Sequence, residues 1–175
     1  MYRQFRAFYD VDETVTDAHM YESAKIAVAF DEIVRQYGIG AYGYYWWGVK
    51  PLVTNLRAQC ALGVSRLTAM GIPGVTEGDI KTAMGMKILD LMGGGGMFIE
   101  FFSSDFDENF IMVGHDGPSN VNVASGKPRL QNLSIHHGKT GEGLGIDFAM
   151  REGPCTLLNV TQFGTDKTYK LIYSV

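Results

Sequence analysis

Residues 87–102 read KILDLMGGGGMFIEFF, and the character of the chain changes within this stretch. The four consecutive glycines at 93–96 cannot sustain a helix, because each costs about 1 kcal/mol relative to alanine in a helix interior. Before them, apolar residues recur at helical spacing, and after them short apolar runs are separated by turn residues. The glycine run therefore predicts a boundary or hinge. A phosphate-binding loop is the less favoured alternative, because no Lys-Ser/Thr pair follows the glycines.

Three helices and one strand are predicted before the glycine run. The helices cover about residues 17–37, 51–70 and 77–92, and the strand covers about 39–47. This order is typical of part of an α/β sandwich. The first helix has Thr16 or Asp17 as a possible N-cap, Gly38 as C-cap, and one apolar face made of Ile26, Phe30, Ile33, Val34 and Tyr37.

Six short strands are predicted after the glycine run. Gly-Pro pairs at 117–118 and 153–154 mark turns between them. Close spacing of short strands favours an antiparallel sheet or part of a barrel. The predicted strands cover about residues 97–102, 110–115, 129–136, 146–150, 156–162 and 169–173.

The composition excludes several classes of protein. The chain has 175 residues and a net charge of −4, so it has no general attraction for nucleic acid or anionic membranes. No run of about 18 apolar residues is present, and the N-terminus lacks an apolar signal-peptide core. Cys60 and Cys155 match no metal or redox spacing, and Cys60 is expected to be a buried free thiol. These features together predict a cytoplasmic protein.

Three residues do not fit their local pattern. Glu100 alternates with Phe98 and Phe102, so it is either a paired or metal-bound carboxylate or part of a water-exposed edge strand. His115 ends an apolar run beside Gly114, where a site residue and a histidine bonded to a backbone carbonyl are both plausible.

Glu77 is the third such residue, and we expect it in the first turn of the helix at 77–92. Thr76 to Asp79 has the outline of a capping box there. The carboxylate is then either a cation ligand or a simple contribution to helix stability. Together with Glu100 and His115 it makes an oxygen-rich set that suits Mn²⁺, Mg²⁺ or Fe²⁺ better than structural zinc.

Other candidate residues are histidines and aromatics. His136 and His137 are adjacent, so at most one of them would enter a given site on a strand. The aromatic segment at 42–47, which includes Trp46, could stack on a sugar or on bases, or could serve a core or a subunit interface. Basic residues do not interleave with it before Lys50, which argues against nucleic acid.

Residues 70–83 read MGIPGVTEGDIKTA, and this segment resembles the Glu-Gly-Asp-x-Lys-Thr-Ala segment of L-arabinose isomerases and their L-fucose isomerase-like relatives. The downstream order agrees with the same family. A glycine-rich break is followed by MFIE at 97–100, VGH at 113–115 and KPRL at 127–130.

The resemblance implies a metal-dependent aldose–ketose isomerase that works through an enediolate, with two glutamates as acid and base. Glu77 and Glu100 match the family's two glutamate ligands, and His115 matches its first histidine ligand. The implied ion is Mn²⁺, or another divalent cation such as Mg²⁺ or Co²⁺. The family's second histidine ligand lies beyond Val175 or is replaced by His136 or His137.

The family also implies a fold, a substrate and a partner. Residues 1–93 would be the end of a Rossmann-like α/β domain, and residues 94–175 would begin an antiparallel β-barrel-type domain. Trp46 falls where the family has an aromatic wall of the sugar site. The substrate would be a pentose or a deoxyhexose, the protein a homo-oligomer, and the chain a fragment of a longer enzyme. The alternatives are a non-catalytic sugar-binding or assembly module and, less favoured, a metal-dependent lyase or epimerase.

Overall fold

The computed structural model describes residues 1–45, 59–133, 143–165 and 168–175 as a mixed α/β protein. The helices are α1 (Tyr2–Phe8), α2 (Asp17–Tyr37), α3 (Ala61–Ala69), α4 (Ile80–Leu91) and a 3₁₀ turn (Val121–Val123). The strands are β1 (Asp10–Val11), β2 (Tyr42–Gly43), β3 (Gly74–Val75), β4 (Glu100–Asp105), β5 (Phe110–Gly114), β6 (Arg129–Asn132), β7 (Leu144–Asp147), β8 (Leu157–Phe163) and β9 (Thr168–Ser174).

The prediction of helix α2 is confirmed, including both of its caps. The Thr16 side chain accepts a hydrogen bond from the backbone N–H of His19. Gly38 ends the helix in the left-handed conformation, with φ of 63°. Both signals are local in sequence, and each satisfies backbone groups that the helix leaves unpaired at its ends.

The buried face of α2 matches the predicted apolar face only in part, because Ile26, Phe30 and Val34 are half-buried. Ile33 and Tyr37 are exposed, whereas Ala24 and Ala27 are buried. Small residues lie on this face because α3 approaches closely: a Cβ added to Gly63 would lie 3.0 Å from the Ala27 Cα. Helices α2 and α3 therefore pack through small side chains, and the larger apolar side chains Ile33 and Tyr37 stay at the surface.

Helix α4 begins three residues later than predicted. Its N-cap is Asp79, whose carboxylate accepts hydrogen bonds from the Thr82 backbone N–H at 3.1 Å and the Thr82 hydroxyl at 2.6 Å. The capping box at Thr76 is wrong, and Glu77 lies before the helix instead of in its first turn. Glu77 and Gly78 both have positive φ, which is incompatible with a helical turn.

The glycine run directly follows α4, as a helix break should. Gly93 and Gly95 have φ of 86° and 68°. Gly96 is buried, and a Cβ on it would lie 2.9 Å from the Met86 Cα, so the chain turns back tightly against the helix. Of the predicted helix at 51–70, residues 51–58 lie outside the described part of the chain.

The described strands form four small sheets, and no closed barrel forms among them. Strand β1 pairs parallel with β6, and β6 pairs antiparallel with β7. Strands β2 and β3 form a short parallel pair. Strands β4 and β5, and strands β8 and β9, form two antiparallel hairpins. The predicted antiparallel pairing after the glycine run is therefore confirmed at the level of hairpins.

The main core draws residues from both ends of the chain. Its largest fully buried members include Met20 and Leu62 from the helices and Leu130 and Leu144 from the three-stranded sheet. The division of the chain at residues 93 and 94 stays a prediction. A second, smaller cluster of Val75, Ala83 and Met86 packs with Ala41 and Phe98.

None of the helices within the described ranges combines the length and apolar character that crossing a bilayer demands.

Candidate functional site

Two sequence-distant segments meet at His115. The Thr76 hydroxyl lies 3.5 Å from Nε2 of His115, although the two residues are 39 positions apart. Glu77 follows Thr76 directly in the chain. Glu100 is paired across the β4–β5 hairpin with Gly114, the residue before His115. The structure thus brings together the three chain segments that carry the predicted ligands.

The backbone of Glu77 is strained. Its φ of 64° lies in the left-handed region, which residues that carry a Cβ rarely adopt. Gly78 follows with φ of 72°, and its N–H donates a 3.1 Å hydrogen bond to the Tyr44 carbonyl. The Glu77 side chain is exposed. Strain of this kind persists where the surrounding structure enforces it, and it clusters at functional sites.

Glu100 opens strand β4 and is exposed. Of the two interpretations of its pattern, the structure matches the water-exposed strand. Phe98 lies outside the strand, and a bulge between Phe101 and Ser103 breaks the alternation that would place Phe102 on the same face as Glu100. Glu100 therefore faces solvent at the start of the β4–β5 hairpin, where an ion or a small molecule could reach it.

His115 is half-buried, and contacts surround its ring. Nδ1 lies 3.2 Å from the Pro118 carbonyl oxygen. The Phe98 ring packs on the imidazole with centroids 4.4 Å apart. Both readings of this residue, a site residue and a histidine bonded to a backbone carbonyl, are therefore compatible with the observed contact.

Three other candidates, Trp46, His136 and His137, lie outside the described residues. Of the aromatic segment at 42–47, Tyr42 and Tyr44 both pack near Phe30 of α2, with ring centroids 5.8 and 6.3 Å apart. Burial raises the pKa of Tyr42 above its usual range. Both tyrosine rings therefore contact α2, as the core interpretation of this segment expects.

The chemistry of the predicted set suits a hard divalent cation. Glu77 and Glu100 offer carboxylate oxygens, and His115 offers an imidazole nitrogen. Within the described ranges, however, no three side chains of the His, Cys, Asp or Glu type are arranged as a metal-binding group. The segments are adjacent and the donors are of the right kind, but their side chains do not converge on one point.

Sequence reasoning missed the residues that surround His115. The sequence pattern predicts Thr76 as a helix cap and Phe98 as one residue of an alternating strand. The Gly117–Pro118 pair signals a turn in the sequence, and that signal did locate the loop. Its role beside the imidazole depends on contacts between distant segments, which a local pattern does not carry.

Comparison with known proteins finds a distant similarity to L-arabinose isomerases. No protein-family profile matches the chain. L-arabinose isomerases from Shewanella sp. strains ANA-3, MR-4 and MR-7 are each 26% identical to it over 159 residues. The match covers 86% of this chain but 30% of each relative, so the chain spans under a third of the length of these curated relatives. The chain is thus distantly related to L-arabinose isomerase.

Proposed function

We propose that this chain is part of a metal-dependent aldose–ketose isomerase of the arabinose/fucose isomerase type. The observation that carries the proposal is the meeting of three segments around His115, through the Thr76–His115 contact and the Glu100–Gly114 pairing. The segments that meet are those whose motifs match the ligands of the arabinose isomerases. The distant similarity to L-arabinose isomerases supports the same function.

In this proposal Glu77, Glu100 and His115 hold the ion, which would be Mn²⁺ or a similar divalent cation. When bound, the cation supplies positive charge that polarises the sugar carbonyl. The side chains must move from their positions in the metal-free chain to share one ion. Glu77 and Glu100 are both exposed, so neither is held by packing against such a movement.

The two carboxylates account for the proton transfers. Conversion of an aldose to a ketose removes a proton from C2 of the sugar and returns one at C1, while a second proton passes from O2 to O1. Glu77 follows β3 and Glu100 opens β4, so they approach from different segments. Two carboxylates so placed can act as base and acid at the two carbons.

The remaining parts of the proposal concern the larger protein. Trp46 would contribute an aromatic wall to the sugar site, and a second histidine, His136, His137 or one beyond Val175, would complete the ligand set. The chain would join a Rossmann-like domain to a β-barrel-type domain in a homo-oligomer. Exposed aromatics on the β4–β5 hairpin, such as Phe106 at 93% exposure, are consistent with cover by a further protein surface.

The test is an isomerase assay on the longer protein that carries this chain. With Mn²⁺ bound, we expect conversion of a pentose or deoxyhexose such as L-arabinose or L-fucose, and loss of turnover in Glu100→Gln with the fold retained. Absence of conversion of any aldose, with the metal shown to be bound, would contradict the proposal.

A non-catalytic sugar-binding or assembly module is the second candidate. One observation favours it: the acidic and imidazole side chains of the described residues do not form a metal-binding group. Calorimetry separates the two candidates. If Glu77→Gln and Glu100→Gln leave Mn²⁺ affinity unchanged, the module is favoured, and if they weaken it, the isomerase is favoured.

A further inference from the structure

The β4–β5 hairpin exposes apolar side chains along both of its strands. The two strands form a sheet of their own, with no third strand among the described residues. The exposed apolar residues of the strands and of the turn between them are Phe101, Phe102, Phe106, Phe110, Ile111 and Met112. A two-stranded hairpin is at best marginally stable in water, and an exposed apolar patch of this kind marks an interaction surface. The hairpin therefore requires a partner surface.

Strand β9 is a second exposed apolar strand, and it lies in a different sheet. It pairs with β8, which packs against α4 where Val160 lies beside Gly85. All seven residues of β9 are exposed, whereas Val160 of β8 is buried. The exposed apolar side chains of β9 are Tyr169, Leu171, Ile172 and Tyr173. Within the described ranges, β5 and β9 therefore share one property: each exposes apolar side chains on a strand with one paired neighbour.

The outer edges of β5 and β9 suit strand pairing. No other strand of the described residues pairs with either edge. Strand β5 reads FIMVG and has no charge or proline that discourages pairing, whereas β4 is interrupted by a bulge between Phe101 and Ser103. An unprotected edge of this kind binds an added strand through its backbone N–H and C=O groups.

The two surfaces carry opposite charge. Residues 100–114, the hairpin with its turn, contain four acidic residues and no basic one, whereas Lys170 is the one charged residue of β9. The acidic residues are Glu100, Asp105, Asp107 and Glu108. Opposite charges across a strand pair stabilise it, and like charges destabilise it. Charge therefore disfavours pairing of two hairpins or of two β9 strands, and it favours pairing of the hairpin with β9.

We propose that the outer edge of β5 pairs with the outer edge of β9 in a second copy of this chain. The two hairpins belong to separate sheets within one copy, so the complementary edges meet between copies. The pairing makes a four-stranded sheet in the order β4–β5–β9–β8, which exceeds the three strands that a sheet needs to be stable by itself. Because each copy carries one edge of each kind, two copies make both contacts reciprocally, or several copies close a ring.

The inference rests on the homo-oligomer that the proposed function includes, and it is independent of isomerase activity. All of its tests are therefore made without metal or sugar. A chain that associates as proposed but binds no Mn²⁺ would contradict the proposed cation site and leave the pairing supported. A chain that binds Mn²⁺ but stays monomeric would overturn the pairing and leave the cation site supported.

The first test is sedimentation equilibrium of the 175-residue chain and of single charge reversals. We expect the wild type to self-associate, and Lys170→Glu and Glu108→Lys each to weaken association by about fivefold or more. Lys127→Glu is the matched control for Lys170→Glu, because this exposed lysine lies outside both hairpins. A monomeric wild type, a Lys170→Glu variant that associates as the wild type does, or equal weakening by Lys127→Glu would overturn the proposal.

The second test mixes the two weakened variants in equal amounts. In a mixed assembly, the acidic β9 edge of Lys170→Glu meets the less acidic hairpin of Glu108→Lys, and the unchanged hairpin meets an unchanged β9. We expect the mixture to associate more tightly than either variant alone. A mixture that is no tighter than its components would contradict pairing between the hairpin and β9.

The third test identifies the contacting strands by cross-linking in a Cys155→Ser background, which removes the exposed native thiol. Ile111→Cys and Leu171→Cys are made in separate chains, mixed and treated with a short bis-maleimide. We expect mass spectrometry to find links that join one variant to the other. Links between two Ile111→Cys chains alone, or no link at all, would overturn the proposal.

Discussion

At the scale of single residues, Glu77 is the most informative position in the molecule. It holds a left-handed backbone conformation, with φ of 64°, that glycine adopts without strain. A glutamate there costs about 1–2 kcal/mol. Its side chain is exposed and does not offset this cost by burial. This strain supports the role in a cation site that we propose for the carboxylate.

The first prediction is that Glu77→Gly stabilises the protein and weakens Mn²⁺ binding. The free energy of unfolding should rise by about 0.5 kcal/mol, since relief of about 1–2 kcal/mol exceeds the added flexibility of the unfolded chain, about 0.4–1 kcal/mol. Urea denaturation measures the change. Glu77→Gln is the control, because it keeps the strain and should lose only Mn²⁺ affinity. A Glu77→Gly variant less stable than the wild type would contradict this interpretation.

The two cysteines provide the second prediction. Cys60 is buried, as the sequence predicts, and burial raises the pKa of its thiol to about 11, whereas Cys155 is exposed. Because thiolates are the reactive form, iodoacetamide should modify Cys155 in the native protein and Cys60 only after denaturation. Mass spectrometry of the alkylated chain gives the result. Rapid labelling of Cys60 in the native Cys155→Ser variant would show that the Cys60 thiol is accessible, which contradicts its burial.

At the scale of elements, a helix end with a single capping signal can be predicted from the sequence. A helix end with two competing capping signals cannot. Helix α2 has a single strong cap at each end, so its bounds follow from the sequence. At α4, both Thr76 and Asp79 can cap a helix. The choice depends on the left-handed backbone of Glu77, which the pairing of β2 with β3 and the Gly78–Tyr44 hydrogen bond help to fix. That information is tertiary and is absent from the local pattern.

The third prediction concerns the cap of α4. Asp79→Ala should lower the free energy of unfolding by about 1 kcal/mol, because the Thr82 backbone N–H loses its acceptor. Asp79→Asn keeps a capping oxygen and should recover most of the loss. Chemical denaturation of both variants measures the difference. If Asp79→Ala is as stable as the wild type, the helix has another cap.

The strands show a similar division between local and distant information. Hairpin partners adjacent in sequence, such as β8 and β9, are predictable from alternation and turn residues. The parallel pairing of β1 with β6 joins segments about 120 residues apart, and two-residue strands such as β1 carry no periodic signal. Because these contacts join segments far apart in the sequence, neither the three-stranded sheet nor the contact between Thr76 and His115 could be predicted.

At the scale of the whole molecule, Asp12 links the N-terminal segment of the chain to strand β6. Its carboxylate accepts hydrogen bonds from the Thr14 backbone N–H and hydroxyl, and it forms an ion pair with Arg129 of β6. The Thr14 bonds are the main cause, and the Arg129 pair a further one, of the lowering of the Asp12 pKa from 3.8 to about 2. This cluster reinforces the pairing of β1 with β6 at one edge of the main core.

The fourth prediction is a pH dependence with a definite sign. A carboxyl whose pKa is lower in the folded than in the unfolded state stabilises the fold above its unfolded pKa. For Asp12 this contribution is present above about pH 4 and is lost as the pH falls towards 2. Asp12→Asn should therefore be less stable than the wild type at neutral pH, and the difference should shrink across this range. Denaturation midpoints measured against pH test this, and a constant difference would contradict it.

The central claim is that Glu77 and Glu100 serve one cation site beside His115. A Mn²⁺ titration followed by electron paramagnetic resonance tests it most directly, on the wild type, Glu77→Gln, Glu100→Gln and the exposed control Glu152→Gln. We expect wild-type binding to weaken about tenfold or more in each of the first two variants and to be unchanged in the control. Equal affinity in all four proteins, or no binding by the wild type, would contradict the claim.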